Sequence, residues 1–122
     1  MSDDAKIEFS REKNVTVLSL AADYESLDGA GIAELLSTLL NTVQSIDPPL
    51  MVVDLSETNI FGSAFIEALF RAFNRLGTRD GAAFALCGLT PYCREVIDVT
   101  HLDRLWEIYE SREQAIDALT KT

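Results

Sequence analysis

The sequence predicts an α/β fold in which a mostly parallel central sheet carries an antiparallel N-terminal edge strand. Strand-like and helix-like segments alternate along the 122 residues, and such alternation is typical of a parallel sheet with helical connections. Two short alternating segments at the N-terminus predict a hairpin, which supplies the antiparallel edge. No internal repeat, low-complexity stretch or linker interrupts the pattern. We therefore expect one domain, residues 1–122, with the element order ββαβαβαβα.

The first predicted elements are the hairpin and the helix that follows it. Apolar and polar residues alternate over 6–11 and 14–20, on either side of a polar turn at 12–14. Residues 21–28 are expected to form a loop whose last residue, Asp28, caps the first helix. That helix carries an amphipathic stripe and ends before two prolines. The stripe consists of Ile32, Leu35, Leu36, Leu39, Leu40 and Val43.

The middle of the chain predicts a central strand and a second helix. Residues 50–55 form a short, nearly continuous apolar run, as in a strand buried on both faces of a parallel sheet. Residues 56–59 are expected to form a loop. Ser63 is expected to cap a helix that continues through Leu76 and is followed by Gly77.

The last third of the chain predicts two further strands and two further helices. Residues 83–87 have the pattern of a buried strand, and a helix over 91–99 begins with proline at its first position. A final strand is predicted at 105–109. Ser111, with a glutamine three residues later, matches a capping box that opens a terminal helix over 112–119.

The net charge of −10 argues against a nucleic-acid partner, which needs a basic stripe, and against an anionic membrane. Such a charge steers a partner with a basic face toward the protein, or it serves only solubility. The N-terminus lacks the features of a signal peptide, and no apolar run approaches the length of a membrane span. We expect a cytoplasmic protein in which Cys87 and Cys93 are buried structural thiols.

The sequence carries no signature of catalysis, metal binding or cofactor binding. Phe61 and Phe65 stand where a nucleophile elbow around Ser63 needs glycines. His101 is expected to be a solvated or capping residue, and one histidine with two separated cysteines does not supply a zinc set. No phosphate-binding loop is present. We therefore expect no enzyme, no metal and no cofactor.

Two polar residues near the central strand have alternative interpretations. Asp54 ends the strand, where α/β enzymes often place an acid, but a structural aspartate bonded to neighbouring backbone amides is the favoured interpretation. Ser63 either caps the second helix or, if phosphorylated, places a phosphate against the helix N-terminus. A phosphate there adds about two negative charges and meets free amides and the helix dipole.

The segment from residue 50 to residue 69, LMVVDLSETNIFGSAFIEAL, resembles the hallmark segment of STAS domains, the anti-sigma factor antagonists and their relatives. That family has a hydrophobic strand, Asp-Leu-Ser, a short loop, and then Asp-Ser-Ser-Gly opening a helix. The order of elements along the rest of the chain is also similar to that of the family. The specific part of the resemblance is confined to these 20 residues.

The resemblance implies a regulatory function. An anti-sigma factor antagonist binds an anti-sigma factor, usually a serine kinase, and so releases a sigma factor for transcription in bacteria. The kinase phosphorylates the serine that follows the Asp, and Ser63 falls on that serine. The sequence departs from the pattern at Gly62, Ala64 and Phe65, which replace the Asp, the second Ser and the Gly. We expect Ser63 to be the phosphorylation site.

Helical spacing groups Ser63, Ile66, Glu67 and Phe70 on one face of the second helix. Ile66 and Phe70 are expected either to contact the partner or to pack under a neighbouring element. The loop residues 23–25 rim the same surface or are merely solvated. The predicted partner-binding residues are Asp23, Tyr24, Glu25, Gly62, Ser63, Ile66, Glu67 and Phe70.

Two other functions stay open from the sequence. A STAS module without a phosphorylation cycle would be a scaffold subunit of a signalling complex. A small ligand carrier or enzyme would use Asp54 and Ser63, and it predicts a deep polar pocket at the end of the central strand.

Overall fold

A five-stranded sheet forms the centre of the structure, a computed structural model that describes residues 6–24 and 29–120. Its strands lie side by side in chain order. The first pair is antiparallel and the others are parallel, as predicted. The strands are β1 (Lys6–Glu12), β2 (Val15–Tyr24), β3 (Leu50–Phe61), β4 (Ala83–Cys87) and β5 (Glu107–Tyr109).

Helices cover both faces of this sheet, and the predicted order of elements, ββαβαβαβα, is confirmed within the described residues. The helices are α1 (Gly29–Ser45), α2 (Ser63–Leu76), α3 (Pro91–Val99) and α4 (Arg112–Thr120), with a 3₁₀ turn at Leu102–Arg104. Among these helices none is long and apolar enough to cross a membrane.

The main core lies between the sheet and α1, α2 and α3. Leu18, Met51 and Val53 from the sheet and Leu39 and Leu69 from the helices are fully buried in it. An aromatic cluster closes one part of this core. Its rings are Phe73, Phe84 and Trp106, with centroids 5.4 to 6.2 Å apart and in edge-to-face or tilted contact.

A smaller core lies on the opposite face of the sheet, under α4. Val17, Val52 and Ala85 of the sheet meet Ala115 and Ile116 of the helix, and all five are buried. Because β3 and β4 have apolar side chains on both faces, their sequences read as nearly continuous apolar runs.

The hairpin turn lies where it was predicted. Lys13 and Asn14 have φ values of 52° and 70°, and two successive positive φ values are typical of a tight type I′ hairpin turn. Asparagine visits this conformation more readily than most residues because a short polar side chain can bond locally.

The predicted loop at 56–59 is wrong, and the predicted loop at 21–28 is wrong over 21–24, while residues 25–28 lie outside the described residues. The chain over 21–24 belongs to β2, and β3 continues to Phe61. The two segments pair with each other, with Ala21 opposite Glu57 and register shifts between Ser19 and Ala21 and between Ala22 and Asp23. Neither has strand-like alternation, so only their mutual hydrogen bonding makes them strands. Asp28, the predicted cap of α1, lies outside the described residues.

The extension of β3 is anchored by Thr58, which is fully buried. Its hydroxyl donates to the Leu20 carbonyl oxygen at 2.6 Å, and its own carbonyl accepts from the Cys93 thiol at 3.5 Å. A buried threonine with its polar groups satisfied in this way is compatible with a core position.

Two smaller corrections concern the C-terminal third. β5 begins at Glu107 and not at Leu105, because the 3₁₀ turn and a bend carry the chain past Trp106. Ser111 caps α4 as predicted, accepting from the Gln114 N–H at 3.1 Å. The Gln114 side chain accepts from the Glu110 N–H, one residue earlier than in a regular capping box.

Candidate functional site

The junction between β3 and α2 places Ser63 at the start of a helix. Gly62 has an extended backbone (φ −111°, ψ −171°) and occupies the N-cap position. Its carbonyl accepts from the Ile66 N–H at 3.2 Å. The prediction that Ser63 caps α2 is therefore wrong, since Ser63 already has helical geometry and is the first residue of the helix.

The N-terminus of α2 has no side-chain cap. Gly62 has no side chain, so the N-cap residue supplies none of the side-chain hydrogen bonds that a Ser or Asp cap would give to the first turn of the helix. Ser63 is exposed at this end, where the helix dipole favours negative charge. The geometry therefore suits an anionic group on the Ser63 oxygen.

The predicted contact face of α2 divides between exposed and packed side chains. Glu67 is exposed and Phe70 is 39 % exposed. Ile66 is half-buried and packs against the main core. Phe65 is fully buried, so its bulk points away from the Ser63 hydroxyl. Phe70 is thus an exposed aromatic side chain two helical turns from Ser63.

The end of β2 runs beside the strand that leads into this site. The backbone of Asp23 pairs with Ile60, and that of Tyr24 pairs with Phe61. Asp23 and Tyr24 therefore lie in a strand and not in the predicted loop, one strand spacing from the chain that reaches Gly62. Glu25 lies outside the described residues.

Asp54 is held by hydrogen bonds on the other face of the sheet. Its Oδ1 accepts from the Ser56 N–H at 2.9 Å. Its Oδ2 accepts from Arg112 of α4, with Nε at 3.0 Å and Nη2 at 2.9 Å. Burial acts to raise the pKa of this carboxyl, but the hydrogen bonds from Ser56 and Arg112 hold it below its ordinary value.

Arg112 is a residue that sequence reasoning missed. Its Nη1 also lies 3.2 Å from Oε2 of Glu12, at the end of β1, so one guanidinium joins α4 to two strands. No local pattern signals this pairing, because the partners are 58 and 100 residues away along the chain.

Asp54 and Ser63 do not share a site. The Asp54 side chain contacts α4, whereas α2 packs through Phe65 and Leu69 into the core on the opposite face. The enzyme or ligand-carrier hypothesis required both residues in one pocket, and the described residues separate them. The hydrogen-bonding pattern is that of a structural aspartate.

Gly88 allows the chain after β4 to pass close to Asp54. Its φ is +72°, and a Cβ atom there would lie 2.9 Å from the Ser56 Cβ and 3.2 Å from the Asp54 Oδ1. Both the backbone conformation and the close approach therefore require glycine.

The thiols and the imidazole take no part in this site. Cys87 and Cys93 are free and buried. Burial raises the pKa of both, that of Cys87 to about 12 with the help of the Asp54 charge. His101 is exposed in a left-handed turn after α3. No group of three or more His, Cys, Asp or Glu side chains among the described residues is arranged to hold a metal ion.

Comparisons with known proteins agree with this architecture. The family model of the STAS domain matches residues 6–115. An anti-sigma-factor antagonist (STAS) domain protein from Planctomyces limnophilus is similar, with 36 % identity and a TM-score of 0.83 over 94 % of this chain and 98 % of that one. None of the curated proteins compared with the chain matches it.

Two more distant structures share the fold. An anti-sigma factor antagonist from Mycobacterium paratuberculosis is 22 % identical, with a TM-score of 0.85 over 99 % of this chain and 98 % of that one. The Bacillus cell fate determinant SpoIIAA in its phosphorylated form is 13 % identical, with a TM-score of 0.66 over 93 % and 99 % of the two chains. The chain belongs to the STAS domain family.

Proposed function

We propose that this protein is a regulatory anti-sigma factor antagonist that is switched by phosphorylation of Ser63. In the unmodified state the exposed face of α2 binds an anti-sigma factor. A serine kinase, which is the anti-sigma factor itself or a protein bound to it, phosphorylates Ser63 and ends the interaction. The protein is not an enzyme. The observation that carries this proposal is an exposed Ser63 at an uncapped helix N-terminus.

The local structure supports modification without loss of the fold. Ser63 is exposed, and Phe65, two residues later, is fully buried. The phenylalanine ring therefore does not block the access of a kinase to the Ser63 hydroxyl. A phosphate on this oxygen gains from the positive end of the α2 dipole. Gly62 places no side chain in the way of such a group, although it removes the charge of the family's Asp.

The surroundings of Ser63 explain how phosphate would end binding. Phe70 offers exposed apolar area on the same helical face as Ser63. Aromatic side chains of this kind are frequent anchors in protein interfaces. Two added negative charges beside such an anchor disrupt the contact by desolvation and by repulsion from acidic partner groups.

The charge of the whole chain supports a protein partner with a basic surface. At −10, the protein attracts such a partner over distances of up to about one Debye length, which is roughly 30 Å at 0.01 M ionic strength. Together with the free thiols, which persist in a reducing compartment, this supports action in the cytoplasm. The similarity to the Planctomyces limnophilus protein, named as an anti-sigma-factor antagonist domain, supports the same class of partner.

A second candidate is a constitutive STAS scaffold subunit that binds through α2 but is never phosphorylated. The observation that favours it is Gly62, because the residue directly before Ser63 carries no carboxylate to help place a kinase.

A pull-down from native cell extract separates these candidates. The baits are wild type, Ser63→Ala and Ser63→Asp, with Ser10→Asp as a control that adds the same charge to an exposed position on β1. The switch predicts that wild type, Ser63→Ala and Ser10→Asp capture an anti-sigma factor and that Ser63→Asp does not. Equal capture by all four baits would support the scaffold and contradict the switch.

A further inference from the structure

The groove between α1 and α2 carries two arginines that form no ion pair within the described part of the chain. Leu40 of α1 forms its apolar side, and Arg71, Asn74, Arg75 and Thr78 form the other. All four of these residues are exposed, whereas Leu40 is half-buried. The groove is an open depression of about 330 Å³.

Among the described residues, neither Arg71 nor Arg75 has an ion pair or a side-chain hydrogen bond. Glu67 stands one turn before Arg71, a spacing that permits a pair, yet the two form none. The next arginine along the chain, Arg79, does have hydrogen-bond partners. Its Nη1 donates to the Val43 and Ile46 carbonyl oxygens at the end of α1.

The helix that faces Arg71 and Arg75 offers little negative charge to them. The facing helix, α1, has Glu34 as its one charged residue, and Glu34 lies nearly two turns from Leu40. Arg71 and Arg75 are spaced i, i+4, so their like charges repel on one face of α2. A chain with a net charge of −10 thus concentrates unpaired positive charge in one groove.

We propose that this groove binds an acidic segment of a protein partner, with Asp or Glu carboxylates on Arg71 and Arg75 and an apolar side chain against Leu40. Guanidinium groups match carboxylates in bidentate geometry. A wholly acidic partner is repelled by this chain, so charge complementarity selects a short acidic segment on an otherwise basic protein.

The groove also continues the exposed face of α2. Phe70 and Asn74 follow Ser63 at helical spacing, so the groove lies about 17 Å from Ser63 along the helix axis. An acidic segment bound there fixes the direction in which a partner crosses α2. The binding itself depends only on the groove and not on the phosphorylation of Ser63.

The test is an NMR titration of isotope-labelled full-length protein with a short peptide of leucine, aspartate and glutamate. We expect saturable amide shifts confined to Leu40 and to the chain from Arg71 to Thr78, weakened when salt rises from about 0.05 M to about 0.5 M. The same peptide with asparagine and glutamine is expected to leave these amides unmoved.

Matched double variants complete the test. Arg71→Gln/Arg75→Gln is expected to weaken binding about tenfold or more, and Arg94→Gln/Arg104→Gln, with the same change of net charge, is expected to leave it intact. Well-dispersed spectra of both variants show that they are folded. Absence of shifts, equal loss in both variants, or the same shifts with inorganic phosphate at lower concentration than the peptide would overturn the proposal.

Discussion

Arg112 joins the first turn of α4 to the middle of β3 through Asp54, with Nη2 2.9 Å from Oδ2. The Asp54 side chain is 8 % exposed and that of Arg112 is 36 % exposed, so the pair is partly buried. Because α4 alone among the described helices covers its face of the sheet, this pair and the apolar contacts of Ala115 and Ile116 hold the helix in place.

Replacing Arg112 with methionine is expected to lower the free energy of unfolding by about 1–3 kcal/mol, because a partly buried carboxylate loses its charged partner. Urea denaturation measures this as a lower midpoint with an unchanged slope. The control is Arg94→Met, which removes the exposed pair with Asp98 and is expected to cost less than about 0.5 kcal/mol. Equal losses of unfolding free energy in the two variants would show that the Asp54–Arg112 pair stabilises the fold no more than an exposed surface pair does.

Acid is expected to remove the contribution of Asp54. Its pKa in the folded protein lies below the ordinary value of 3.8, so its stabilising effect is fully present above that value. The effect is lost as the pH falls through the folded-state pKa. The free energy of unfolding is measured at about eight pH values from pH 6 to pH 2 for wild type and for Asp54→Asn. The difference in this free energy between the two proteins is expected to be constant above about pH 5 and to shrink below about pH 4. A difference that does not change with pH contradicts the lowered pKa.

Substitution of Gly88 tests the close packing around Asp54. Gly88→Ala combines a strained φ of +72° with a Cβ atom 2.9 Å from the Ser56 Cβ. The substitution is expected to lower the free energy of unfolding by about 2–4 kcal/mol, which urea denaturation measures. Gly81→Ala is the matched control, since Gly81 has φ +76° but no atom within 4 Å of the added Cβ. It is expected to cost about 1 kcal/mol, and a cost as large as that of Gly88→Ala would contradict the steric argument.

The order of strands and helices could be predicted from the sequence because each element has its own apolar pattern. The run at 50–55 and the stripe ending at Val43 are buried as their patterns indicate. The strand ends at 21–24 and 56–61 could not be predicted, because their residues lack the alternation of a strand and only pairing with each other makes them strands.

The start of α2 was predicted to within one residue. Ser63 follows the central strand and starts α2, as the sequence indicated, yet Gly62 occupies the cap. The distinction depends on the ψ angle of one glycine, which no pattern of side chains determines. Arg112 was missed since its pairing with Asp54 is a tertiary contact, and unpaired arginines such as Arg71 are recognisable only once their neighbours are known.

The cysteines are expected to react only when the protein unfolds. Cys87 and Cys93 are buried, and burial raises the pKa of both thiols, so neither supplies an accessible thiolate near neutral pH. Thiol labelling followed in increasing urea is expected to track the global unfolding curve. Rapid labelling of either cysteine in the native protein would contradict the buried, structural assignment.

We propose that phosphate on Ser63 ends partner binding while the fold persists. The most direct measurement isolates the protein bound to its anti-sigma factor and the free protein from the same cells, and maps phosphate on each by mass spectrometry. We predict phosphate on Ser63 in the free fraction and none in the bound fraction, with the same thermal midpoint for purified phosphorylated and unmodified protein. Phosphorylated Ser63 in the bound fraction, or no phosphate on Ser63 in either fraction, would contradict the switch.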